Sequence, residues 1–435
     1  MRSVRGPLTL RGWTFLFVGI AAFGGPFLHD GLGGLSRIAV LALSLPLVCA
    51  LVVRRGEHHI RCARSLEPAR VQIGEETRVT LLVENTSTVP SGRLLAEDVL
   101  PRRVSSAQPR FVIKRLDPHE IREVTYTLRP PMRGRYRIGP LTILVGDPFG
   151  MAERKRAFPG TEDLVVIPIV EHLPQVLLGG EWTGGDDSHP SAIRTAGEDD
   201  IGIREYQRGD PLHRINWRAT ARRGELMVRQ EEQPKQSRAT LLLDARWNAH
   251  RGEGPASSLE WAVSAVGSVA LHLTRRGFSL RVLTETGAPL AGMAGEVLAP
   301  QPDLEGLLLD GLAEVEPSRA QSLREANVAL GRSGSDSLMI AVLGALSEQD
   351  ASDLARRRQG TSTAVAIMLR SWTWGTAGPD AAAEREFARN VALLRDSGWR
   401  IVPAAAGDRM ADLWPLAARG AASRVTGAPL VEAGA

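Results

Sequence analysis

The chain has 435 residues, 43% of them hydrophobic, which gives room for about three domains with an apolar content ordinary for a globular protein. Its net charge of +4 is spread over 53 basic and 49 acidic side chains. No basic stripe demands nucleic acid. The cations are nearly all arginine, with Lys114, Lys155 and Lys235 the exceptions, and the two cysteines, Cys49 and Cys62, form no disulfide framework.

Residues 1–56 read as a transmembrane helical hairpin. Residues 12–28 (GWTFLFVGIAAFGGPFL) and 38–53 (IAVLALSLPLVCALVV) are two apolar runs without charges. Each sits at or just below the roughly 17-residue lower limit for a spanning helix. The link between them, HDGLGGLSR, is short and polar enough to turn. No small-x-small cleavage site precedes the second run, which argues against a signal peptide. Arg2, Arg5 and Arg11 precede the first run, Arg54 and Arg55 follow the second, and the link carries only Arg37. The positive-inside rule then predicts a two-span anchor in the cell membrane with both termini and the soluble domains in the cytoplasm. His58 and His59 beside the second run read as an interfacial pair rather than metal ligands.

From 57 to 175 the pattern predicts a β-sandwich. Short apolar or alternating runs at 71–73, 77–83, 124–128, 136–138, 141–145 and 164–167 are separated by turn residues such as Gly74-Glu75, Pro130-Pro131 and Gly139-Pro140. Residues 176–236 then form a linker and a distinctive motif. The first part is rich in Gly, Asp and Ser; its Asp186, Asp187 and His189 read as a solvated loop, because metal ligands need a rigid scaffold.

The motif follows at 197–232, GEDDIGIREYQRGDPLHRINWRATARRGELMVRQEE. Arg204, Tyr206, Gly209, Asp210, Arg214, Trp217 and Arg222 give the pattern R-x-Y-x-x-G-D-x-x-x-R-x-x-W-x-x-x-x-R. Gly209-Asp210-Pro211 is a turn signal. Ile215 and Trp217 alternate with Arg214, Asn216 and Arg218, as on a strand with one wet face. Two roles fit. Arginines paired with Glu198, Asp199, Asp200, Asp210, Glu231 and Glu232 would make a structural network. The same Arg, Tyr and Trp side chains are also the usual anchors of a docking surface.

From 237 to 428 strand and helix alternate. Strands are predicted at 239–243, 280–283, 338–343, 364–369 and 399–402, the last ended by Pro403. Helices are predicted at 257–276, 304–312, 348–358, 381–396 and 408–418. Such alternation implies a parallel sheet covered on both faces. The chain lacks a Walker loop, a G-x-G-x-x-G after a strand, an H-E-x-x-H and a G-x-S-x-G. No catalytic or cofactor-binding residue is assigned, and no enzyme activity is expected.

The arginine-rich pattern, followed by an α/β region, resembles the bacterial family known as domain of unknown function 58, whose members end in a von Willebrand factor A-like domain. The resemblance implies a membrane protein with such a C-terminal domain. It implies a partner role beside a MoxR-type AAA+ ATPase and a membrane-bound transglutaminase-like protein in envelope or complex assembly. The fold it names usually binds Mg²⁺ through D-x-S-x-S, whose carboxylate and hydroxyls are hard oxygen ligands. Here the strand ends Asp244-Ala245-Arg246-Trp247-Asn248, with Arg246 and Asn248 in the serine positions, and the second acidic loop reads Gly344-Ala345-Leu346. A guanidinium cannot ligate a cation and repels it. The expectation is therefore a degenerate site without metal, in which Arg246 reaches Asp244 or a neighbouring acid. A metal-dependent ligand-binding or adhesion module is the alternative.

Overall fold

A computed structural model of the chain describes residues 8–28, 35–55, 60–91, 94–147, 149–176, 202–206, 215–230, 237–292, 303–331, 338–357, 363–376 and 381–418. His58, His59, Asp186, Asp187, His189, Glu198, Asp199, Asp200, Gly209, Asp210, Pro211, Arg214, Glu231 and Glu232 lie outside the described residues. The chain divides into two compact units, Met1–Ile169 with Leu309–Val315, and Val170–Leu308 with Glu316–Ala435.

In the first unit the two apolar runs form helices α1 (Leu10–Leu28) and α2 (Leu35–Arg55). They pack closely at Gly19, where a Cβ would lie 2.8 Å from Leu43 Cγ, so a small residue sets the approach. Among the described residues, no helix is long and apolar enough to cross a membrane.

Ten strands follow: β1 (Ile60–Glu67), β2 (Arg70–Gln72), β3 (Thr77–Asn85), β4 (Leu94–Asp98), β5 (Arg110–Ile113), β6 (Ile121–Leu128), β7 (Gly134–Ile138), β8 (Leu141–Gly146), β9 (Glu153–Phe158) and β10 (Glu162–Ile167). They make three sheets in the orders β1-β3-β6, β2-β10-β7 and β5-β4-β8-β9. The period-2 pattern explains the layering. Along β3, Val79, Leu81 and Val83 point inward while Arg78, Thr80 and Leu82 do not. Ile60, Leu81 and Val83 pack against Leu94, Ala96, Ile113, Leu141 and Ile143 of the four-stranded sheet. Val79 and Leu128 close a second core with Val71, Tyr136, Ile138, Leu164 and Val166. The six runs read from the sequence are all strands. The weaker patterns of β1, β4, β5 and β9 emerge only from the fold; β9, ERKRAF, has no inward apolar residue before Phe158.

The second unit begins with a hairpin-like pair, β11 (Gly202–Glu205) and β12 (Met227–Gln230), antiparallel with Glu205 opposite Met227. Between them lies helix α3 (Trp217–Arg223). The sheet that follows contains β13 (Arg238–Leu243), β14 (Ser279–Thr284), β15 (Leu338–Leu343), β16 (Thr363–Leu369) and β17 (Arg400–Ala404). All pairings are parallel, in the order β14-β13-β15-β16-β17. The helices in sequence are α4 (Ser258–Arg275), α5 (Leu304–Ala313), which the division into units cuts, α6 (Arg324–Gly331), α7 (Glu348–Arg357), α8 (Ala381–Asp396) and α9 (Met410–Ala418).

Leu242, Leu283, Ala341, Leu343, Ala364, Ala366 and Met368 pack against Leu323 and the side chains of α6, α7 and α8. The intervening Leu241, Val282, Ile340, Val365 and Ile367 are buried too, as expected for strands covered on both faces. Helix α4 contacts β13, β14 and β15, and α9 contacts β17. This five-stranded parallel sheet fits a von Willebrand factor A-like C-terminal domain.

Two expectations need correction. Pro403 does not end the last strand; it lies inside β17, paired with Met368. β17 is the sheet edge, where a missing N–H costs no ladder bond. Trp217 does not continue a strand. Only Ile215 makes a bridge, to Val228, and Trp217 opens α3. Asn216, a favoured N-cap residue, accepts at its carbonyl from Thr220 N at 2.9 Å. Gly224, at φ 78°, closes the helix by donating to Thr220 O at 2.9 Å.

Candidate functional site

The strand order places a crossover reversal between β14 and β15, on either side of β13. In open parallel sheets of this kind the crevice for ligands lies beyond the carboxyl ends of the strands at such a reversal. The residues there are those after β13, starting at Asp244, and those after β15, starting at Gly344. Asp244 is fully buried and hydrogen-bonds from its N–H to Val342 O at 3.0 Å.

Arg246 occupies this crevice with a side chain only 2% exposed. Its Nε donates to Asp244 Oδ1 and its Nη2 to Asp244 Oδ2, both at 2.9 Å. Nη1 donates to Asp350 Oδ2 at 2.8 Å, and Nη2 also reaches Ala345 O at 3.1 Å. The fork is therefore bidentate to one carboxylate and single to a second. Burial opposes the guanidinium charge, but the bonds to Asp244 and the charges of Asp244 and Asp350 outweigh it and raise the pKa.

Each partner is itself held. Asp244 Oδ1 also accepts from Arg246 N at 3.2 Å, and Oδ2 from Gly344 N at 3.1 Å. Asp350 Oδ1 accepts from Leu323 N at 2.9 Å, and Oδ2 from Ser347 Oγ at 3.0 Å. Ser347 in turn accepts from Asp350 N at 3.2 Å, a reciprocal cap at the start of α7. Gly344 is required by close approach: a Cβ there would lie 2.5 Å from Ala249 O.

Beneath the network, His250 Nε2 meets Asp244 O at 2.7 Å and its Nδ1 meets Ser258 Oγ at 3.0 Å. A carbonyl only accepts, so Nε2 carries the proton and Ser258 donates to Nδ1. Burial lowers the His250 pKa, against the opposing pull of Asp244. The ring is a neutral strut between the end of β13 and the start of α4.

The donor set does not fit a divalent cation. A carboxylate offers about four lone-pair directions, and Asp244 spends four on Arg246 N, Nε, Nη2 and Gly344 N. Asn248 does not join the cluster, and its Oδ1 is buried without a hydrogen-bond partner. Among the described residues no group of three or more His, Cys, Asp or Glu could hold a metal ion.

The arginine-rich motif is a separate place. Arg204 lies on β11, opposite Val228. Tyr206 is half-buried and its N–H bonds to Leu226 O at 2.8 Å. Trp217 is 67% exposed and Arg222 is exposed, both on α3. Asp350, His250, Ser258 and Ser347 were not anticipated. The only sequence signal among them is Ser347-x-x-Asp350, a capping pattern whose carboxylate gives no hint of a partner 104 residues away.

Residues 202–371 match the family model described as "Protein of unknown function DUF58". The match takes in less than half of the chain. The matched residues take in Arg204 to Arg222 of the motif and the strands from β13 to β16, including the whole Arg246 cluster. A curated relative, the "Uncharacterized protein YeaD" of Bacillus subtilis (strain 168), is 25% identical over 246 residues, 54% of this chain and 56% of YeaD. The chain thus spans about half the length of that relative. Among solved structures, a von Willebrand factor type A protein from Catenulispora acidiphila is 10% identical, with 42% of each chain covered and a TM-score of 0.30. The CARDB domain of the PF1109 protein from Pyrococcus furiosus is 15% identical, covering 25% of this chain and 91% of that one, with a TM-score of 0.19.

Proposed function

We propose that the chain is a membrane-anchored, non-enzymatic interaction protein whose α/β domain serves as a rigid docking scaffold rather than a metal-dependent binder. The observation that carries this reading is the Arg246 guanidinium, bonded to both oxygens of Asp244 and to Asp350 in the crevice where this type of sheet would take a ligand. The protein's own ion network engages both carboxylates of that crevice, Asp244 and Asp350.

Anchoring through α1 and α2 is supported by their apolar exteriors. Phe17 is 69% and Leu41 65% exposed, and Trp13, Val18, Ile20, Ile38, Leu47 and Val52 are exposed with them. So much apolar surface in water would cost about 25 cal/mol per Å², whereas lipid tails accept it. By family resemblance the partner is a MoxR-type AAA+ ATPase, and the role is assembly in the envelope or of a complex.

Two measurements test this. Capture of the detergent-solubilised full chain from its membranes should co-purify an AAA+ ATPase; capture without one refutes that partner. The alternative, a metal-dependent binding module, is tested by melting the same preparation in millimolar Mg²⁺ or Mn²⁺. Ligand at 100 times its dissociation constant stabilises by about 2.7 kcal/mol, so a saturable upward shift overturns the scaffold reading and no shift supports it.

A further inference from the structure

The turn between β8 and β9 is tied to the helical hairpin rather than free. Thr9 N donates to Met151 O at 2.9 Å, Thr9 Oγ donates to Gly150 O at 2.6 Å, and Leu8 bridges Ala152. Cys49 and Val53 of α2 form a buried cluster with Met151 and Ala152. Gly12 of α1 is packed so tightly that a Cβ would lie 2.3 Å from Met151 O. This lip of the sandwich therefore has a fixed position beside the start of α1 and the end of α2.

At its tip Phe149 is 59% exposed. The backbone that presents it is locked by Asp147, whose Oδ1 accepts from Phe149 N at 2.7 Å and whose Oδ2 accepts from Ala152 N. Phe149 is thus an exposed aromatic on a turn whose next residues are bonded to the start of α1 and packed against the end of α2. Immediately after it, β9 is the outer strand of its sheet. Its residues Glu153, Arg154, Lys155 and Arg156 are all exposed. Arg11, also exposed, lies against Gly150 of the same lip. Arg154 and Arg156 share one face of the strand, with Arg156 over the Phe158 ring, and Lys155 lies on the other face. A charged edge strand also discourages strand addition, but that need does not explain the outward Phe149 or the ties to α1 and α2.

We infer that this lip and edge, Phe149 with Arg11, Arg154, Lys155 and Arg156, is a lipid-contact surface that binds the phosphate headgroups of anionic lipid. The inference rests on the membrane anchoring proposed above. Apolar surface enters the acyl boundary while the cations meet headgroup phosphates. Each basic residue near an anionic surface contributes about fivefold to partitioning.

The test uses the full chain, solubilised in detergent and exchanged into nanodiscs from an equimolar mixture of phosphatidylglycerol and phosphatidylcholine. The retained lipids are measured by mass spectrometry. The native chain should enrich phosphatidylglycerol several-fold. Arg154→Gln/Lys155→Gln/Arg156→Gln should bring the ratio near one, while Arg102→Gln/Arg103→Gln, also on the sandwich, keeps the enrichment. Unchanged enrichment in the triple variant, or loss in both variants alike, overturns the proposal. So does loss of the native enrichment in 10 mM inorganic phosphate at constant ionic strength, which would mark a phosphate site instead of a lipid surface. Failure of the native chain to enter nanodiscs at all overturns the anchoring itself, and with it this inference.

Discussion

The Arg246 cluster is the residue whose surroundings most constrain the molecule. One cation faces two carboxylates in a site closed to water, and every oxygen of the pair is spoken for. Such a cluster stabilises little relative to an apolar replacement of all its members, but losing one member leaves buried charge uncompensated. Arg246→Met should therefore cost about 3–5 kcal/mol, and Asp350→Ala a similar amount. Calorimetry of the solubilised chain checks both, through the transition of the α/β domain; a shift under about 1 kcal/mol would mean the cluster is not buried as described.

His250 gives a second residue-level expectation. Its pKa is lowered from the usual 6.5 by burial. The unfolded chain then binds a proton at a higher pH than the folded one does, so folding stability falls as pH drops from about 6.5 toward the folded-state value. Above 6.5 both states are neutral and the contribution is flat. In His250→Gln the stability lost between pH 7 and 5 should shrink, as read from urea midpoints at each pH. An unchanged loss would assign the acid sensitivity to other groups.

Among elements, α3 is the case where local chemistry overrode apparent periodicity. Two apolar residues at spacing two, Ile215 and Trp217, suggest a strand, but WRATARR has good helix formers, a capping Asn216 before it and Gly224 after it. The helix turns Trp217 into solvent, where it is 67% exposed. Trp217→Ala should melt within about 0.5 kcal/mol of the native chain, as surface changes do. A much larger loss would show that Trp217 is covered in the whole protein. If the α3 face docks a partner, the same variant loses capture while keeping its melting temperature, since exposed Trp is a frequent interface anchor.

At the scale of the whole molecule, the proposed anchoring makes one sharp demand. With arginines flanking the outer ends of α1 and α2, both termini belong on the cytoplasmic side. A reporter that functions only in the cytoplasm should be active when fused after Ala435, and one that functions only outside should be silent. The opposite result would overturn the topology.

The sequence by itself determined the elements whose burial pattern is local. β13, β15 and β16 are continuous apolar runs because both of their faces are covered, and α4 and α8 carry an unbroken helical period. It also determined that Asp244 would lack serine partners, since Arg246 and Asn248 stand in plain view. Tertiary structure decided the rest. β9 is a strand only because β8 offers it a ladder, α6 is short, and Pro403 is tolerated only because β17 became an edge. Asp350 joins Arg246 because the β13–β15 crossover brings positions 104 apart within 2.8 Å. A hydrogen bond at that separation is fixed by chain topology, and no local period or propensity encodes it.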